Sequence, residues 1–346
     1  MKKIFLLLII LLLLYCTSCK DNKEIHEISF VSSIGIDYKI DTNEYEVILY
    51  FINTINNVSV DYGLSEPELL GYTASSISNS ISSAINKIQE SSETMISLKH
   101  LETIIFTETF FNQKNIFEFY NYCKNSHLFF HAFEIFITDS NLKDIFLIEN
   151  MTDSPSYYTL LTGKKNGYDY DKVLFYNFVN DILTPNYYLK YPKITVTDEF
   201  YKKNNKKLKT ISHTGYSILK EDYSISTYNL NTINGLRLLN NFNLYTAKIS
   251  DSLRFYIKNY KISKNIKKDE ITLKIFCEIQ ILDNINNLNT NNLTNEIKLF
   301  IINEINNCLS ILQDDQIDIL NIKLTSNNQI DYQNTLLNYQ INLYFK

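Results

Sequence analysis

Glycine is scarce in this sequence and tryptophan is absent. The 346 residues include seven glycines and four prolines, so glycine makes up about 2% of the chain against about 7% in average proteins. Collagen-like, Pro-rich and Gly-rich architectures are therefore excluded, and few tight glycine turns remain to cradle phosphates. Consistent with this, the sequence has no G-x-S-x-G, no G-x-x-x-x-G-K-[ST] and no G-x-G-x-x-G after a predicted strand.

Cysteine and positive charge are also limited. Beyond the N-terminal region, Cys123, Cys277 and Cys308 are odd in number and widely spaced. They match neither a disulfide framework nor a C-x-x-C metal pattern, so we predict buried single thiols. The formal net charge of −5 gives no basic footprint for nucleic acid, and we expect no nucleic-acid partner.

The N-terminus carries the clearest functional signal. Lys2 and Lys3 precede an apolar run at residues 4–16. As a helix this run would be roughly 20 Å long, shorter than the ~30 Å hydrocarbon core, which is typical of a secretory signal. No later apolar stretch approaches 18 residues, so we predict no transmembrane helix in the mature chain.

Thr17-Ser18-Cys19 directly follows the apolar run and resembles the lipobox of bacterial lipoproteins. That resemblance implies removal of residues 1–18 and attachment of a diacylglyceryl group to the Cys19 thiol. Two or more acyl chains give durable membrane anchoring, whereas one chain binds only marginally. The alternative is an ordinary secretion signal with a coincidental cysteine.

Hydrophobic periodicity predicts mixed strands and helices without a strict βαβ rhythm. We therefore predict an α+β fold in two to three consecutive subdomains, with no internal repeat. The predicted domains are a signal peptide at 1–18, an N-terminal α+β domain at 19–192, a middle subdomain at 193–258 and a C-terminal α+β subdomain at 259–346. The predicted elements include strands at 28–38, 44–52, 102–107, 132–138, 193–196, 215–219, 271–282 and 317–323, and helices at 72–88, 109–123 and 293–312.

No set of residues has the pattern of a catalytic or metal site. His127 and His131 lack the Glu of H-E-x-x-H and flank a predicted strand entry, where they do not converge on one metal. His213 lies beside a strand start, and Asp314-Asp315 is typical of a helix end. Asp139 or Ser140 is predicted to cap the following helix. We predict no catalytic residue, no cofactor and no metal, and hence no enzyme.

A lysine-rich segment lies at 198–209. It contains Lys202, Lys203, Lys206, Lys207 and Lys209 around Asn204-Asn205. Two interpretations remain: a solvated hairpin loop, or a basic patch that faces a lipid headgroup or an acidic partner.

Four stretches, in order along nearly the whole mature chain, resemble the Ger(x)C family, the lipoprotein C subunit of bacterial spore germinant receptors. Cys19, Glu24-Ile25 and Gly35-Ile36-Asp37 match its N-terminal pattern, although Lys20 replaces a family Trp. Residues 99–105 followed by Glu108 match its His-Leu-Lys strand and Gly-Glu. Residues 189–196 match its Pro-bearing crossover, and residues 215–220 with Gly235-Leu236-Arg237 match its glycine-containing segment.

The resemblance implies a non-catalytic subunit at the outer face of the inner spore membrane, held there by lipid on Cys19. It also implies partnership with two polytopic membrane subunits, A and B, in a complex that senses small nutrients. The sequence leaves open whether this chain binds a small molecule directly. The alternatives are a solute-binding lipoprotein of a membrane transporter and an extracytoplasmic hydrolase.

Overall fold

The computed structural model describes residues 27–52, 71–126, 128, 132–148, 173–184, 188–203, 206–230, 234–239, 242–267, 270–284, 288–322 and 336–345. Strands and helices are mixed along these ranges, which confirms the predicted α+β fold. No helix in the described ranges combines the length and the apolarity needed to cross a bilayer.

The first part of the chain folds around a mixed sheet. Within the described residues this sheet has nine strands, in the order β3-β2-β1-β5-β6-β7-β8-β9, with β4 beside the start of β1. Strands β1, β5, β6 and β7 run parallel, and the other neighbours on this path are antiparallel. The strands are β1 Ile28–Lys39, β2 Glu44–Ile52, β3 Gly71–Ser78, β4 Met95–Ser97, β5 Thr103–Thr107, β6 Glu134–Thr138, β7 Lys190–Lys203, β8 Lys206–Leu219 and β9 Ile225–Asn229.

Helices cover both faces of this sheet, so its central strands are apolar on both sides. In β5, Ile104 and Phe106 join one buried cluster and Ile105 joins another. The first cluster includes side chains of α1 (Ile81–Glu90), α2 (Gln113–Asn125) and α4 (Phe175–Leu183), and the second packs on α3 (Leu142–Phe146). This two-sided burial explains why β5 reads as a continuous apolar run.

The second sheet lies in the C-terminal part of the chain. Its order is β10-β11-β12-β13, and β13 pairs parallel to β12 after a helical crossover. The inner face of this sheet packs on Ile297, Ile301 and Ile305 of the long helix. The elements are α5 Gly235–Leu238, β10 Phe242–Ser250, β11 Leu253–Lys267, β12 Glu270–Asn284, α6 Thr290–Asp314 and β13 Leu336–Phe345.

A further buried cluster joins the first sheet to α6, which packs on the second sheet. Tyr216 and Ile218 of β8 pack with Cys308 and Leu312 of α6. At Gly235, α5 approaches α6 so closely that an added Cβ would lie 2.1 Å from the Glu304 carbonyl oxygen. Glycine is required at this position because any side chain would collide with backbone.

Two predicted elements are wrong in part. Residues 71–78 form β3, antiparallel to β2, and the helix predicted at 72–88 spans Ile81–Glu90. The isoleucines at 77 and 81 fit both periods, and pairing with β2 decides the structure of the first part. The strand predicted at 317–323 is absent from its described part: residues 317–322 contain turns and irregular backbone after α6, and the Asn321 N–H donates to the Asp318 carbonyl. Residue 323 lies outside the described residues.

The division into domains stays a prediction. Two β-strands nevertheless run across the two internal domain boundaries that were proposed from the sequence. The boundary at 192/193 falls inside β7, and that at 258/259 falls inside β11. The two sheets group the strands as 28–229 and 242–345.

Candidate functional site

Polar side chains gather where the parallel strands of the first sheet end. Asp37 lies near the end of β1, Thr107 ends β5, and Asp139 follows β6. The carboxyl ends of parallel strands meet at one edge of a sheet, which is where open sheets of this type place ligands. We call the following residues the polar edge: Asp37, Lys39, Glu46, Thr107, Glu108, Thr109, Asp139, Lys143, Lys193, Thr195, Thr214 and Thr227.

Asp37 is held by three donors. The hydroxyls of Thr107 and Thr109 donate to its Oδ1 at 2.5 and 2.6 Å, and the Lys39 ammonium lies 2.6 Å from its Oδ2. Burial by itself would raise the pKa of Asp37, but the hydrogen bonds from Lys39 and the two threonines lower it below its usual value. This carboxylate therefore stays ionised.

Lys39 extends the polar edge towards α3. Its ammonium also lies 2.8 Å from Glu46 Oε2, and Lys143 of α3 lies 3.0 Å from Glu46 Oε1. Burial favours the neutral acid, yet hydrogen bonds from both lysines lower the pKa of Glu46. Asp37 and Glu46 thus share the Lys39 ammonium, and Glu46 also contacts the Lys143 ammonium.

Lys193 of β7 forms the most buried part of the polar edge. Its side chain is only 8% exposed and lies 3.0 Å from Glu108 Oε1 and 2.7 Å from Asp139 Oδ2. Burial opposes the charged form, but hydrogen bonds to Asp139 and Glu108 raise the pKa of Lys193. Both carboxylates are partly exposed, so the ammonium is enclosed by protein while its partners face solvent.

Hydroxyl groups tie this ion cluster to neighbouring strands. Thr227 of β9 donates to Glu108 Oε1 at 2.9 Å, and Thr195 of β7 donates to Asp139 Oδ1 at 3.1 Å. Thr195 and Thr214 hydroxyls lie 2.9 Å apart across β7 and β8. Strands that are distant in sequence are therefore linked through a few charged atoms.

Several charged groups of the polar edge are held in their ionised forms by their neighbours. The pKa values of Asp37, Glu46 and Asp139 are lowered and that of Lys193 is raised, so none of these groups exchanges a proton near neutral pH. In the described part of the chain, no three His, Cys, Asp or Glu side chains are grouped closely enough to hold a metal ion. This arrangement suits positioning of strands and recognition by charge.

The structure brings together the four stretches that carry the family resemblance. Asp37 and Glu108 both belong to the polar edge, and Lys193 of the crossover stretch contacts Glu108. Lys193 also pairs with Gly215 across β7 and β8, and Lys190 donates to the Leu236 carbonyl at 2.9 Å. Residues separate in sequence thus form one connected junction.

Sequence reasoning missed the roles of Lys193 and Asp139. The predicted cap of α3 is wrong, since Asn141 accepts the backbone N–H of Lys143 while Asp139 binds Lys193. The available signal was a lysine inside a short apolar strand between Pro192 and Val196. A charge at such a position requires a partner.

Some of the remaining residues singled out from the sequence lie within the described residues and others do not. Cys19, His127 and His131 lie outside the described residues. The His213 ring makes an edge contact with Tyr216 at 5.0 Å between centroids. Asp314 and Asp315 end α6, as predicted.

The three remaining cysteines are buried free thiols, as predicted. Burial raises the pKa of Cys277 and of Cys308 to about 12, and that of Cys123 is also raised. These thiols are therefore protonated and unreactive at neutral pH.

Helix α4 carries a buried acid. Asp181 is 7% exposed, and its Oδ2 accepts the Tyr191 hydroxyl at 2.5 Å. Burial raises the pKa of Asp181 well above its ordinary value, although the hydrogen bonds from Tyr191 and the Leu189 backbone oppose this. Asp181 is part of the core and faces no described cavity.

Comparison with known proteins supplies the remaining findings. Residues 21–196 match the family model described as the spore germination protein N-terminal domain. No curated protein sequence matches this chain. A structure titled "Crystal Structure of the GerBC protein" is similar at 12% identity and a TM-score of 0.45, over 94% of this chain and 99% of that chain.

Proposed function

This chain belongs to the Ger(x)C family of spore germination proteins, and we propose that it is the lipid-anchored C subunit of a nutrient germinant receptor. The observation that carries the proposal is the family match over residues 21–196 directly after a lipobox-like sequence ending at Cys19. The subunit is proposed to act with polytopic A and B subunits at the extracytoplasmic face of the inner spore membrane.

We propose a non-catalytic role in this complex. The polar edge supports that role, because its carboxylates and its buried ammonium are held in fixed charge states by one another. Such a network fixes the relative position of strands and presents constant charge to a partner. Attachment to the membrane raises the effective concentration of membrane-embedded partners, so modest contacts suffice for assembly.

The first experiment replaces the proposed anchor. Cys19→Ala should release the chain from the membrane fraction of spores and slow nutrient-triggered germination, because the thiol that accepts the diacylglyceryl group is gone. Lys23→Ala is the matched control, since it changes a nearby residue after the lipobox-like sequence and leaves the Cys19 thiol in place, so it should change neither property. Membrane retention and a normal nutrient response in Cys19→Ala would refute the proposal.

A further inference from the structure

The β7–β8 hairpin extends beyond the first sheet as a two-stranded arm. The β6 pairing of β7 ends at Ile194, and the β9 pairing of β8 begins at Gly215. Between these points β7 and β8 pair only with each other within the described residues, through Lys203↔Lys206. About nine residues of each strand lie in the arm, a length on the order of 30 Å.

Lysines are placed directly opposite one another near the tip of the arm. Lys202 pairs with Lys207, and Lys203 pairs with Lys206. Like charges at opposed positions of an antiparallel pair are destabilising. Asp198 lies 3.4 Å from Lys207 Nζ and offsets one of these charges, in a pair exposed on both sides. A locally unfavourable placement of like charges, as at Lys202↔Lys207, is typical of a functional surface.

An open groove lies between the arm and α3. It has a volume of about 220 Å³ and is lined by apolar Leu147, Ile148 and Leu208 beside Lys207, Lys209 and Asp144. Leu147 is 67% exposed, although most large apolar side chains of the first sheet are buried. Lys209 lies 3.0 Å from Asp144, which holds the arm against α3 at this point. Apolar surface flanked by lysines is suited to an acidic partner with an apolar anchor.

The direction of the arm favours a protein partner over the membrane that anchors the chain. β7 runs parallel to β1, so the arm extends from the edge opposite Ile28. Its tip is on the order of 50–60 Å from Ile28 along the strands. Residues 20–27 span at most about 28 Å when extended. A body held at Cys19 therefore presents the arm away from its attachment point, a step that rests on the proposed function.

We propose that the arm and its groove dock an acidic protein segment: lysines near the tip bind its carboxylates, and the groove beside Leu147 takes an apolar side chain. Charge complementarity selects this partner, since the chain as a whole has a net charge of −5 and the arm concentrates the opposite sign. Anionic lipid is the competing occupant, and the experiment below distinguishes it.

The test measures binding of a fluorescent peptide of glutamates and leucines to the mature chain carrying Cys19→Ala, which has no acyl group. The wild-type arm should bind the peptide at about 50 mM salt and lose most binding at about 500 mM. Lys202→Glu with Lys207→Glu keeps a like-charged pair but reverses its sign, and should weaken binding at least about tenfold. Lys261→Glu with Lys274→Glu, at exposed positions of the second sheet, should change it less than about twofold.

A single variant separates docking from folding. Lys202→Glu places opposite charges at the Lys202↔Lys207 position, so it should stabilise the arm while weakening the peptide complex. Equal peptide binding by wild type and the double arm variant would overturn the proposal. Arm-dependent binding to phosphatidylglycerol vesicles with no binding to the peptide would also overturn it, in favour of lipid. Neither result depends on whether Cys19 is lipidated in spores.

Discussion

Lys193 shows how one residue determines a junction of strands. Its buried ammonium is the shared partner of Glu108 and Asp139, which follow two neighbouring parallel strands. Removing the ammonium leaves two carboxylates near each other without compensation. Because both carboxylates are partly exposed, water screens part of that repulsion.

We therefore expect Lys193→Ala to lower the free energy of unfolding by about 1–3 kcal/mol. Lys207→Ala is the matched control, because the Lys207–Asp198 pair is exposed on both sides and contributes at most about 0.5 kcal/mol. Urea denaturation followed by circular dichroism measures both changes. Equal effects of the two substitutions would show that the buried cluster does not stabilise the sheet.

Asp181 predicts a pH dependence of opposite sign to that of the polar edge. Burial raises the pKa of Asp181 in the folded protein. The free energy of unfolding is therefore highest with respect to this group below its unfolded-state pKa near 4, and it decreases as pH rises towards the folded-state pKa. Asp37, Glu46 and Asp139 have lowered pKa values, so their contribution is present above pH 4 and is lost as pH falls below it.

Asp181→Asn removes the titrating group while keeping an acceptor for Tyr191. The variant should gain stability relative to the wild type between pH 4.5 and pH 8, by on the order of 1 kcal/mol. Urea titrations at the two pH values give this difference. A stability difference that stays constant with pH would contradict the raised pKa.

At the scale of elements, asparagine and other residues replace the missing glycines. In the described residues, the non-glycine residues with positive φ are Asn43, Tyr223, Asn259, Gln316 and Asn321. Asparagine tolerates the left-handed region better than most residues. In this glycine-poor chain, less favourable residues thus adopt left-handed backbone at turns and, at Asn259, inside β11.

The C-terminus of α6 has a glutamine at a left-handed position where glycine would be favoured. Gln316 has φ 61°, its N–H donates to the Gln313 carbonyl, and the Ile317 N–H donates to the Leu312 carbonyl at 2.8 Å. These two hydrogen bonds form a Schellman motif, in which glycine is preferred at the left-handed position. Ile317 and Leu312 pack in the same buried cluster and complete the motif.

Gln316→Gly should raise the free energy of unfolding by about 0.5–1 kcal/mol, since it relieves a left-handed conformation. Gln313→Gly, inside the last turn of α6, is the matched control and should lower it by about 1 kcal/mol. Thermal unfolding of the two variants gives the comparison. A loss of stability in Gln316→Gly would contradict the assignment of the motif.

Prediction from the sequence succeeded where periodicity is unambiguous. The alternation in β12 and the isoleucine spacing of α6 predict a strand and a helix, and the structure confirms both. It failed where local pattern fits two structures, as in residues 71–78, because the decision comes from pairing with β2. A hairpin loop at 198–209 was one of two interpretations, whereas the structure continues β7 and β8 as paired strands to Lys203 and Lys206. The projection of this hairpin beyond the sheet depends on where the β6 and β9 pairings end.

The polar edge was not predictable for a similar reason. Its members come from β1, β2, β5, β7, β8 and β9, from α3 and from the residues that follow β5 and β6, and no short-range spacing relates them. The family resemblance marked Asp37 and Glu108, yet only the strand order brings them to one edge. Charged residues inside apolar strands, such as Lys193, were the available sequence signal.

On the scale of the whole molecule, the two sheets are coupled by buried contacts. Tyr216 and Leu312 belong to one cluster, the Tyr188 N–H donates to Asn321 Oδ1 at 2.9 Å, and the Tyr228 hydroxyl donates to Asp315. The other side of this junction is formed by α5, α6 and the turns after α6, and α6 in turn packs on the second sheet, so the two sheets are linked through α6. The tip of the arm lies at the opposite end of β7 from this junction, and Lys193 of the polar edge lies on β7 between them.

The proposed function requires attachment of this protein to a membrane through one residue, Cys19. Mass spectrometry of the N-terminal peptide from the native protein in spore membranes measures that directly. The account predicts a chain that begins at Cys19 with a diacylglyceryl thioether on its sulfur. A mature chain that carries Cys19 unmodified, or that begins at another residue, would contradict it.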